Sequence, residues 1–150
     1  MGHNQGRKPK RVGGEAAQPA EKVREVRFGS APSDDNYPTW SFRHLDHEGP
    51  YGWGDLKSRD MLLQILERLR MLEGMNWTRI VKDTGSHNVS LAHACFCSEA
   101  RQRLRRLQHF VDELFSLRVQ GKPRIWGIKD GKVLRIIWWD PEHKICPSTK

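Results

Sequence analysis

The sequence predicts an α+β fold: a small twisted antiparallel β-sheet with N-terminal helices packed on one face, preceded by a disordered basic tail. Three observations carry this expectation. Apolar residues recur at helical spacing between Asp60 and Leu72, and the last third of the chain switches to short apolar runs rich in β-branched and aromatic residues. Between two of those runs stands Asp130-Gly131, a strong hairpin signal. Helices followed by a block of strands suit an α+β domain, and 150 residues suit one core with a tail.

Residues 1–37 mix Gly, Pro, Ala and both charges with few large apolar side chains, too little to offset the entropy of ordering. They are read as the tail, leaving a domain at 38–150. Seven basic and five acidic residues give the tail two net positive charges, so six of the chain's +8 fall on the domain. TWSFRHLD, Thr39 to Asp46, alternates in the manner of a strand, and EGPYGWGDL follows as a loop. The first helix starts near Asp60, with Ser58 or Asp60 as cap, carries Leu62, Ile65, Leu66, Leu69 and Leu72, and stops at Gly74. Asn76 caps a short second helix through Trp77, Ile80 and Val81. A third begins at Ser98 and carries Arg101, Arg103, Arg105 and Arg106 around Leu104, Leu107 and Val111.

Phe115, Leu117 and Val119 alternate with polar residues, Gly121 and Pro123 punctuate, and a new run opens at Arg124. A two-residue turn at Asp130-Gly131 sets Lys129 opposite Lys132, Ile125 opposite Ile136 and Trp126 opposite Arg135. Alternation then sends Ile125, Leu134, Ile136 and Trp138 to the core, and Arg124, Trp126, Arg135 and Trp139 to the other face. Arg118 joins that face if Leu117 is in the core. Asp140-Pro141 ends the last strand, which places His143 at its rim.

This arrangement points to nucleic acid. Guanidinium groups hold phosphates bidentately, and aromatic planes stack on unpaired bases. Arg118, Arg124 and Arg135, with Trp126, Trp139 and Lys144, form the expected RNA surface. His143 can exchange protons near neutral pH, which suits acid or base work on a ribose 2′-hydroxyl or a leaving 5′-oxygen. The positive net charge agrees with a polyanionic partner. No apolar run approaches the roughly 18 residues that span a bilayer, and the N-terminus does not read as a signal peptide, so no membrane partner is expected. An odd count of three cysteines, two of them as close as Cys95 and Cys97, argues against a disulfide framework and for a reducing, cytoplasmic setting. His87, His93, Cys95 and Cys97 are competent zinc ligands, but Cys-x-Cys is not the usual spacing and no second pair follows. Neither a metal nor a cofactor is expected.

The segment ELFSLRVQGKPRIWGIKDGKVLRIIWWDPEHKICP, residues 113–147, resembles the C-terminal half of the RelE/ParE toxin superfamily. There a strand ending in a basic residue leads to an arginine-bearing strand, a short hairpin and a last strand that stops near a histidine and a tyrosine. The resemblance implies a toxin of a toxin–antitoxin system, an endoribonuclease that cleaves messenger RNA at the ribosome by metal-free attack of a 2′-hydroxyl on the adjacent phosphate. It further implies a cognate antitoxin as partner. Arg124 falls at the family's phosphate-binding arginine, His143 at its C-terminal histidine, and Arg118, more loosely, at the basic residue of the preceding strand. Where the family often has tyrosine, this chain has Cys146. Two other functions share this fold: non-catalytic binding of nucleic acid or protein, and topoisomerase inhibition as in the ParE branch.

Overall fold

The structure is a computed structural model and describes residues 36–148. The expected tail lies outside the described residues except for Asn36 and Tyr37. Asn36 belongs to the fold: its carbonyl accepts the Trp77 N–H at 2.8 Å and its side-chain amide donates to Thr78 Oγ1 at 3.2 Å.

Among the described residues the order is β1 (Thr39–Ser41), α1 (Arg59–Leu72), α2 (Trp77–Thr84), β2 (His87–Ser90), α3 (Ser98–Arg106), β3 (Glu113–Arg118), β4 (Arg124–Asp130) and β5 (Val133–Asp140). The fold is α+β, as expected. The five strands form one sheet in the order β1-β5-β4-β3-β2. That sheet is mixed, not purely antiparallel, because β1 runs parallel to β5.

The first two helices obey their local signals; the third, expected to carry Leu107 and Val111, ends at Arg106 with Leu107 as its cap, and Gln108 at φ +58° takes the chain out of the helix before Val111. Ser58 Oγ accepts the Met61 N–H and starts α1, and Ile65, Leu69 and Leu72 form its buried stripe. Asn76 Oδ1 accepts the Arg79 N–H to start α2, and Gly85, at φ +75°, ends it. The Trp77 indole donates to the Lys132 carbonyl at 3.0 Å, which pins α2 against the β4–β5 hairpin.

Helices cover both faces of the sheet, where sequence patterning predicts only one. On one face α1 and α2 pack against Phe115, Leu117, Ile125, Leu134, Ile136 and Trp139. On the other, Ala100 and Leu104 of α3 and Ile145 of the C-terminal segment pack against Leu114, Trp126, Ile137 and Trp138. Arg103 shows why α3 is drawn in despite its charge. Its guanidinium forks onto the buried Asp46 carboxylate at 2.7 and 2.8 Å, which also accepts the Trp138 indole N–H at 2.9 Å. Burial alone would push the Asp46 carboxyl up; the Arg103 and Trp138 hydrogen bonds and the Arg103 charge reverse this and hold it below its usual value.

Two sequence expectations about strands are corrected. The first strand stops at Ser41 instead of reaching Asp46, because the chain turns away to bury Asp46. Beyond the turn it still lies along β5: Asp46 N–H and the Trp53 indole both donate to the Ile137 carbonyl, and Tyr51 carbonyl accepts the Trp139 N–H. The second correction concerns the hairpin. Asp130 pairs with Val133, so the turn residues are Gly131 and Lys132, with Gly131 at φ +57°. A bulge then interrupts the ladder between Trp126 and Gly127, where a Cβ on Gly127 would collide with the Arg135 carbonyl oxygen. Ile137 and Trp138 consequently face the same side, and the two tryptophans exchange their expected places. Trp138 lies opposite Trp126 on the α3 face, and Trp139 lies opposite Ile125 in the α1–α2 core.

Candidate active site

Arg118 ends β3 and Arg124 opens β4, and the ladder sets them directly opposite each other. Both project to the α3 face with Ser116 and Trp126, since residues two apart in a strand share a side. His87 opens β2 opposite Ser116 and joins them. From the other side, the turn after β5 delivers His143. These residues line a cavity of about 400 Å³, together with His93, Cys95 and Cys146. Among the described residues no carboxylate lines it.

The two guanidiniums are moored side by side. Arg118 Nε donates to the Gly121 carbonyl at 3.0 Å, and Arg124 Nη1 donates to the same carbonyl at 2.6 Å and to those of Lys122 and Pro123 at 2.9 and 3.2 Å. Gly121 can present its carbonyl this way because it adopts φ +55°. Burial pulls the Arg124 guanidinium below its ordinary value, the nearby Arg118 charge adds to this, and Asp140 opposes it. Two cations held this close form a site whose repulsion an anion would relieve.

His143 sits at φ +54°, a backbone conformation that side chains other than glycine rarely adopt. Asp140 holds the turn that imposes it. Its buried carboxylate accepts the Lys144 N–H on Oδ1 at 2.8 Å, and the Ile145 N–H and the Trp126 indole on Oδ2 at 3.0 and 3.2 Å. Burial depresses the His143 ring below the ordinary imidazole value; Arg124, Arg118 and His87 depress it further, against the pull of Asp140. The ring is therefore neutral at neutral pH, the state a general base needs.

Other expected site residues fall elsewhere. Arg135 pairs with Asp130 at 2.9 Å, at the hairpin end of the sheet, away from Arg118 and Arg124. Trp139 is buried beside Trp53 with ring centroids 5.8 Å apart. Trp126 forms a wall of the cavity but is fully buried, edge-on to Phe96 and bonded to Asp140, so its ring offers no free face for a base. Lys144 is exposed next to His143.

The cysteines also depart from expectation. Cys95 is joined in a disulfide to Cys146, 51 residues away, with Cα atoms 4.8 Å apart. His93 brings a third donor within 4.8 Å of both sulfurs, but a disulfide has no thiolate to offer a metal. Cys97, the free thiol, hydrogen-bonds Tyr51 instead. His87 and Asp140 are the residues of this arrangement that sequence reasoning missed: it weighed the first only as a zinc ligand and the second only as a strand terminator. Among the described residues no helix is long and apolar enough to cross a membrane. No family model matches the chain, and comparison with curated proteins and with solved structures returned no match.

Proposed function

We propose that this protein is a toxin-type, metal-independent endoribonuclease that cleaves messenger RNA at the ribosome in the cytoplasm and is held in check by a cognate antitoxin protein. The observation that carries the reading is the meeting of Arg118, Arg124 and His143 in one cavity that, among the described residues, no carboxylate lines. In this reading the guanidiniums hold the scissile phosphate and stabilise the charge that builds on it in the transition state. His143, neutral at rest, takes the proton of the attacking 2′-hydroxyl. The net charge of +8 favours approach to RNA and to an acidic partner segment.

Induced expression of the wild type should arrest growth and leave new 5′ ends in translated messages. His143→Ala and Arg124→Ala, checked to be folded, should relieve both effects. Growth arrest that persists undiminished in both folded variants would refute the catalytic reading. Retention of RNA with a steep salt dependence and no cleavage would identify a binding protein instead.

A further inference from the structure

We propose that His87 is the general acid of this site, paired with His143 as base, and delivers the proton that the leaving 5′-oxygen needs. The inference rests on the ribonuclease reading above and extends it to the second proton transfer. Attack by a 2′-oxygen creates an unstable 5′-alkoxide unless a proton reaches the leaving oxygen, so one neutral base cannot complete the reaction efficiently.

His87 has the geometry for that proton. It stands on β2 opposite Ser116 and lines the same cavity as the guanidinium pair and His143. Its Nδ1 lies 3.0 Å from the Gly85 carbonyl. A carbonyl only accepts, so Nδ1 carries a hydrogen and Nε2, across the ring, is left to exchange protons. The ring is exposed, and so within reach of a substrate. The charged or titratable groups bordering the cavity with it are Arg118 on β3, Arg124 on β4, His93 after β2 and His143 after β5. Asp140 is tied to its own turn.

The step balances without a metal or another reactant. The 2′-oxygen forms a bond to phosphorus as its proton passes to His143. The bond from phosphorus to the 5′-oxygen breaks as that oxygen takes the proton from Nε2 of protonated His87. Exchange with water then returns both rings to their starting states.

The test uses full-length protein and ribosomes programmed with a message carrying either a normal linkage or a bridging 5′-sulfur at the cleaved position. A sulfur leaving group needs no proton. His87→Gln should lose about 10²–10⁴-fold on the oxygen substrate yet stay within about tenfold of wild type on the sulfur substrate, while His143→Gln should lose on both. An oxygen-substrate rate within a few-fold of wild type in His87→Gln would overturn the inference while leaving the ribonuclease reading intact. Equal losses on both substrates would also overturn it, because a merely structural role would not distinguish the leaving groups. Failure of the wild type itself to cleave either message would instead overturn the ribonuclease reading, and this inference with it.

Discussion

Asp140→Asn tests how the fold presents His143. The substitution keeps the shape of the side chain but replaces a carboxylate that accepts three N–H groups with an amide that has one acceptor oxygen. If the amide oxygen takes the Oδ2 position, the Ile145 and Trp126 bonds survive as neutral ones, and the Lys144 N–H confronts an NH2 group. Losing one hydrogen bond to a charged acceptor costs about 1.5–3 kcal/mol, and weakening the other two costs about 1 kcal/mol each. The expected destabilisation is about 3–5 kcal/mol, which for a chain of this size lowers Tm by roughly 10–15 °C. Urea denaturation at pH 7, with calorimetry beside it, measures the change. Removing the Asp140 charge also removes the pull that favours protonated His143, so the ring should titrate lower than in the wild type, as NMR would read. A loss below about 1 kcal/mol with an unchanged His143 titration would refute the claim that Asp140 organises this turn.

Three further outcomes are expected. Reducing the Cys95–Cys146 bond, or replacing Cys95 with Ser, opens a 51-residue loop and should cost about 4 kcal/mol by chain entropy, read as a lower urea midpoint that the reductant no longer shifts in the variant. Arg103→Met strands the buried Asp46 carboxylate and should cost about 3–5 kcal/mol in the same assay, with Asp46→Asn, Arg103→Met together costing less than the two single changes summed. Burial and the neighbouring His44 depress the His109 ring, and burial with its cationic neighbours depresses His143, so the folded protein binds fewer protons than the unfolded chain just below the ordinary imidazole value of about 6.5. Stability from both is therefore complete above about pH 6.5 and is lost as pH falls toward the depressed values; His109→Gln should flatten that decline between about pH 7 and 5.

The helices were legible because their signals are local. Ser58 and Asn76 act on neighbouring N–H groups, whatever the rest of the chain does. The strands β3, β4 and β5 were legible for the same reason, being runs of β-branched and aromatic residues broken by Gly and Pro. Arg118 and Arg124 could be placed together because they flank one short connection. The register of β4 on β5 could not be read. The position of the turn moves each partner by two residues and leaves the faces as expected, but the extra residue that β5 carries at Ile137, between the partners of Gly127 and Trp126, turns every later β5 side chain to the opposite face. That single feature moved Trp139 out of the expected RNA surface and into the core.

Sequence alone therefore determined the α+β class, where α1, α2 and α3 begin, and the placing of Arg118 and Arg124 on one side of the sheet, all set by interactions a few residues long. Tertiary structure decided what stands around them. His87 reaches the cavity because β2 pairs with β3, Cys95 meets Cys146 across 51 residues, and Asp140 becomes the anchor of His143 because Trp126 lies beside it. Such contacts join segments whose separation in the chain carries no periodic signal, and only packing the sheet between its two layers brings them within hydrogen-bond range.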